Sequence, residues 1–93
     1  MIIDLPDVKD GEVVAVDLKL KDGSIDSYDP VVEIVLCEKN INIDNKHYEY
    51  SIDIGDVSSF VAYIRTPIYH EDIDVVEWMD SEPCFVWENT NET

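Results

Sequence analysis

The sequence predicts an α+β fold: a mainly antiparallel sheet of about five strands with one short helix, in the order β-β-β-α-β-β. Three observations lead there. Apolar residues alternate with polar ones in several short runs, as in half-buried strands. Turn residues separate those runs at short intervals. One segment, from Val57 onward, instead spaces its apolar residues four apart, the mark of a helical face. At 93 residues the chain has room for one core, so residues 1–93 are read as a single acidic domain.

Residues 1–10 form a lead-in, punctuated by Pro6 and Asp10-Gly11. From Glu12 to Leu20, Val14, Val16, Leu18 and Leu20 fall on one face and Asp17 and Lys19 on the other, which defines the first strand. This strand is either an exposed edge or a pairing surface for another chain. Lys21-Asp22-Gly23-Ser24 is a turn, and a loop continues through Tyr28-Asp29-Pro30. Val31 to Cys37 is almost wholly apolar and reads as a central strand that extends towards Ile41 and Ile43, with Cys37 a buried thiol.

Asp44-Asn45-Lys46 is a hairpin turn, because Asn tolerates a positive φ. His47 to Ile54 returns as a strand with Tyr48, Tyr50, Ile52 and Ile54 on one face. Gly55-Asp56 ends it, and Asp56 or Ser58 caps the helix. Val57 and Val61, then Phe60 and Ile64, make that helix's apolar face, and Pro67 stops it near Thr66. Residues 69–72 form a loop. Ile73 to Met79 and Cys84 to Trp87 are the last two strands, and residues 89–93 form a frayed polar tail.

Charge is the outlying quantity. There are 22 acidic residues against six Lys and Arg, a net charge of −16. Residues 1–46 hold 11 acids and five bases; residues 47–93 hold 11 acids and only Arg65. Such an excess strains a compact fold by self-repulsion, while it speeds encounter with a positive surface and repels phosphate. Direct nucleic-acid binding and an anionic membrane are therefore excluded as targets. The first residues carry neither a basic stretch nor a long apolar run, and two cysteines without metal-ligand neighbours suit a reducing compartment, so a cytoplasmic location is expected.

No catalytic or cofactor motif emerges. Asn40-x-Asn42-x-Asp44 begins like a calcium loop, but its sixth position is Asn45 and its twelfth Ser51, where glycine and glutamate are required. His70-Glu71-Asp72-Ile73-Asp74 lacks the spacing of a zinc site. No serine sits in a nucleophile elbow, and the chain's three glycines form no phosphate loop. The chain is read as a non-enzyme without metal or cofactor.

The aromatics point to binding. Trp78 and Trp87 lie where the bases have run out, with Tyr63, Tyr69 and Phe85 nearby, and such residues anchor interfaces. In-phase pairing of Trp78 with Val76 and of Trp87 with Phe85 on a terminal hairpin would expose one indole and bury the other. The contact surface expected for a partner is Tyr69, Glu71, Asp72, Asp74, Glu77, Asp80 and Glu82. Glu77 is alternatively a structural partner of Arg65.

The run Val57-Ser-Ser-Phe60-Val-Ala-Tyr-Ile-Arg65, followed by Glu77-Trp78, resembles the late part of immunity proteins from contact-dependent growth inhibition and related polymorphic toxin systems. In those a helix carries Phe and a terminal Arg, and a later strand carries Ser-Glu-Trp; here Val76 replaces the Ser. The resemblance implies a cytoplasmic antidote that occludes a cognate toxin domain, often a basic nuclease. The alternative from the same physics is a phage- or plasmid-encoded inhibitor, of anti-restriction or anti-CRISPR type, that mimics DNA. Either reading names a basic protein as the partner and leaves monomer and homodimer open.

Overall fold

A computed structural model describes residues 1–70 and 73–90 of the chain. Among the described residues there are eight strands: β1 (Val13–Leu20), β2 (Ile25–Tyr28), β3 (Glu33–Leu36), β4 (Asn40–Asp44), β5 (Glu49–Asp53), β6 (Val57–His70), β7 (Ile73–Asp80) and β8 (Phe85–Glu88). The antiparallel sheet expected from the alternation is present. The expected helix is not: among the described residues the only helical element is a 3-10 turn at Ile54–Asp56, and the run from Val57 is the longest strand.

The cause of that difference lies at Ser58. Lys19 pairs with Ser59 and Leu18 with Phe60, but Leu20 pairs with Val57, so Ser58 is an extra residue in β6. Such a bulge shifts the side-chain alternation by one. Val57 and Phe60, three apart, consequently both face the core and are fully buried. Beyond the bulge Val61 and Tyr63 cover the opposite face, so apolar residues recur at helical spacings along a strand. The β-branched and aromatic content of the run favours the extended form. Pro67 does not stop a helix. The carbonyl of Ile64 accepts from Ser81 on the β7 side, so residue 67, of opposite parity, turns its donorless nitrogen away from β7 and past the end of β1, where no ladder bond is lost.

Two sheets result. The larger runs β2-β1-β6-β7, with β8 also on β6; the smaller is the meander β3-β4-β5. β1 is therefore an interior strand, not an edge. The segment read as a loop through Tyr28 contains β2. β7 and β8 do not form a hairpin: both pair with β6 on the side away from β1, β7 along residues 65–70 and β8 along 59–62, end to end. At ~3.3 Å per residue β6 spans about 46 Å, and it accounts for most of the molecule's 53 Å longest dimension.

The chain crosses between the sheets after Tyr28, where the Val31 amide still donates to the Val14 carbonyl at 2.8 Å. One core lies between the sheets: Val14, Val16, Leu18, Phe60 and Ala62 from the larger, Ile34, Ile41 and Ile43 from the smaller, and Ile3, Val31 and Val57 beside them. Phe60 is its centre, stacked on Phe85 at 5.7 Å and on Trp87 at 5.4 Å.

The lead-in is tied to the smaller sheet: Ile2 bridges Val35, the Ile3 amide donates to the Ile34 carbonyl, and the Ile3 side chain is buried. Two further expectations are corrected. Cys37 and Cys84 are free and exposed; the apolar run around Cys37 ends in a bend, which turns the thiol outward. Asn89 is not frayed: its side-chain amide donates to the carbonyls of Ile54 (3.1 Å) and Val57 (3.0 Å), next to the bulge. The expected hairpin turn at residues 44–46 is present, but the positive φ falls on Lys46 (86°), while Asn45 accepts from the amides of His47 and Tyr48.

Candidate protein-binding surface

The larger sheet has one face against the core and one uncovered. On the uncovered face, alternation along β6 places Val61, Tyr63, Arg65 and Pro67; cross-strand register adds Val86 from β8 and Asp80 and Trp78 from β7. β1 contributes Asp17 opposite Val61, and β2 contributes Ser27 opposite Asp17.

Two polar clusters organise this face. In the first, Asp17 accepts from the Tyr63 hydroxyl at 3.1 Å and from the Ser27 hydroxyl at 2.8 Å, on the same carboxylate oxygen. Burial and the hydrogen bond to Asp17 push the Tyr63 phenol up to about 12. Ala15, opposite Tyr63, is buried although it lies on this outer face.

In the second, Arg65 forms two ion pairs: Nη1 with Asp29 at 2.7 Å and Nε with Asp80 at 2.9 Å. The guanidinium also lies over the Trp78 ring, 5.5 Å from its centroid. Asp29 and then Asp80 hold the arginine still more firmly protonated than usual. A guanidinium suits this position, because its planar fork meets two carboxylates while its face stacks on an indole. Trp78 stays 43 % exposed, held in place at one face and open at the other. Trp87, by contrast, packs against Phe60 in the core cluster. The sequence offered Glu77 as the carboxylate for Arg65; the ones found are Asp29, which lies 36 positions away, and Asp80.

The expected contact residues do not form one face. Asp80 shares the outer face with Trp78 and is held by Arg65. Glu77 is exposed but falls on the opposite face, opposite Ile68 in register. Glu82 is exposed in the turn between β7 and β8. Tyr69 lies on β6 paired with Val76, and Asp74 lies on β7. Glu71 and Asp72 lie outside the described residues. Asp17, Ser27 and Asp29 were missed, since nothing in their local sequence marks long-range partners.

Among the described residues no three His, Cys, Asp or Glu side chains converge as metal ligands. No helix among them is long and apolar enough to cross a membrane. A hollow of about 410 Å³ is lined by Cys37 together with Glu38, Glu88, Asn89 and Thr90. Comparison with known proteins finds no match: no family model fits the chain, and no curated sequence or solved structure is similar to it.

Proposed function

We propose that the chain is an acidic inhibitory binding protein, an immunity protein that neutralises a cognate basic toxin of nuclease type in the cytoplasm by covering its active or substrate-binding site. The observation that carries this reading is Trp78: an exposed indole, pre-positioned by Arg65, on an uncovered sheet face of a protein with net charge −16. A fixed aromatic forfeits little freedom on binding and makes an effective anchor. The surrounding acidity raises the association rate above the unsteered ~10⁵–10⁶ M⁻¹s⁻¹. The contact is centred on Trp78 and Val86, with Asp80 and Glu82 at its rim; Tyr69, Glu71, Asp72 and Asp74 are kept as contacts on the strength of the sequence, and Glu77, on the opposite face of the sheet, falls outside it.

The test is affinity capture on the immobilised chain from the native cell at low and high salt, followed by nuclease assays of the retained protein with and without the chain. A basic nuclease retained at low salt, silenced by the chain, and released faster from Trp78→Ala is the expected result. Retention of no basic protein, or a nuclease left fully active, would end the proposal.

A second reading, a nucleic-acid mimic acting on a host DNA- or RNA-binding protein, draws support from charge density. The net charge spread over the 53 Å length amounts to about one charge per 3 Å, close to the ~3.4 Å per phosphate of one nucleic-acid strand. Competition separates the two: single-stranded DNA displaces a mimic from its target, with little effect of Trp78→Ala.

A further inference from the structure

We propose that the open edge of β5 is a strand-addition site for an extended polypeptide segment in which basic and apolar residues alternate. β5 is the terminal strand of the smaller sheet. Its backbone parity is fixed at both ends: the Asn45 amide donates to the Tyr48 carbonyl, and the Ile54 amide donates to the Lys39 carbonyl. Even-numbered residues therefore address β4, and Glu49, Ser51 and Asp53 direct their N–H and C=O groups outward. An edge of this kind is a template for another strand.

The side chains state what that strand must carry. Glu49 stands opposite Asp44, and Asp44 opposite Glu33, so three carboxylates form one row across three adjacent strands. Like charges placed directly opposite are destabilising, and a basic residue at the end of the row offsets this. Asp53 presents a second carboxylate on the same surface, four residues along β5. On the other face of the strand, Tyr48 and Tyr50 are 67 % and 38 % exposed. Tyr50 lies 5.1 Å from Tyr28 of β2 and 6.4 Å from Tyr48, which makes an aromatic seam where the edges of the two sheets meet. An added strand would set alternate residues beside Glu49 and Asp53, where Lys or Arg fits, and the intervening ones beside Tyr48 and Tyr50, where apolar side chains fit.

A second copy of the chain does not meet that pattern. Antiparallel self-pairing centred on Ser51 would set Glu49 opposite Asp53, a repulsive pair, in a protein whose copies already repel at net −16. The edge is thus closed to itself and complementary to a basic strand. This site is on the other sheet from Trp78 and does not depend on the contact proposed there.

The experiment uses the whole chain, isotopically labelled, with two capped seven-residue peptides of identical composition. One alternates arginine and valine; the other groups its arginines at one end. The alternating peptide is expected to bind at least tenfold tighter and to slow amide exchange at Glu49, Ser51 and Asp53 at least tenfold. Ser51→Pro removes an outward N–H and no ladder bond, and is expected to abolish that binding. Should Ser51→Pro fail to fold, the surface variant Glu49→Gln/Asp53→Asn serves in its place, with an expected fivefold or greater loss of affinity. Equal binding of both peptides, protection confined to other strands, full affinity in the folded variants, or self-association of the chain through β5 would each overturn the proposal.

Discussion

Asp29 and Arg65 meet at 2.7 Å across 36 positions of sequence, and this pair ties the crossing between the two sheets to the midpoint of the longest strand. Arg65 is partly exposed, so each ion pair contributes modestly. Removing the arginine, however, leaves Asp29 and Asp80 facing each other without a cation and frees Trp78. Arg65→Ala is expected to lower stability by about 1 kcal/mol. In a double-mutant cycle with Asp29→Asn, a coupling of about 0.5–1 kcal/mol is expected. Arg65→Lys should recover little, since an ammonium cannot reproduce the fork. Chemical denaturation measures all three.

The tail at Asn89 is expected to behave as part of the fold. Its amide satisfies two backbone carbonyls beside the bulge. Asn89→Ala should therefore cost about 1–2 kcal/mol, read as a melting temperature lower by roughly 5–10 °C. Asn89→Asp keeps the shape and loses the donor, and is expected to destabilise at least as much. An unchanged melting curve for both would remove the cap from the account.

Lys46 holds a positive φ of 86° in the β4–β5 turn, a region unfavourable to a side chain with a Cβ. Lys46→Gly relieves the strain and keeps the amide bond to Asp44. A gain of about 0.5–1 kcal/mol is expected by equilibrium unfolding, net of the freedom glycine adds to the unfolded chain.

Tyr63 makes alkaline stability informative. Its phenol is pushed up from the ordinary 10 to about 12, by burial first and by Asp17 second. The folded chain thus keeps a proton that the unfolded chain releases. The stability this supplies is whole below pH 10 and drains away as the pH rises through 12. The melting temperature of the wild type should fall more steeply across that window than that of Tyr63→Phe. Parallel curves would mean that Tyr63 titrates normally.

Alternation was enough to read β1 and β5 from the sequence, because each presents one face to the core and one to water, and the turn at residues 44–46 because Asp and Asn mark it. The segment from Val57 was misread for a physical reason: one inserted residue at Ser58 converts a period of two into apparent helical spacing. β2 was illegible since Ile25-Asp26-Ser27-Tyr28 is short, exposed and lies at an edge. At the candidate surface, Trp78 and Asp80 were legible as an aromatic among acids. Asp29 and Asp17 were not, because what makes them partners of Arg65 and Tyr63 is sheet register, which is decided only when distant strands meet.

The placement of β1 beside β6 governs how the chain reaches this state. The meander β3-β4-β5 and the β1-β2 hairpin pair neighbours in sequence and can form early, but the other side of β1 must wait for a strand that begins at Val57, well over half the chain away from the N-terminus. Closing that span is an entropic toll met before the core contacts repay it, which places the protein among slow, high-contact-order folders, on the order of milliseconds to seconds. Until β6 arrives, Val14, Val16 and Leu18 lack Phe60 and Ala62 beside them and the core is incomplete, so the interval is also when the nascent chain is most exposed to association with its neighbours.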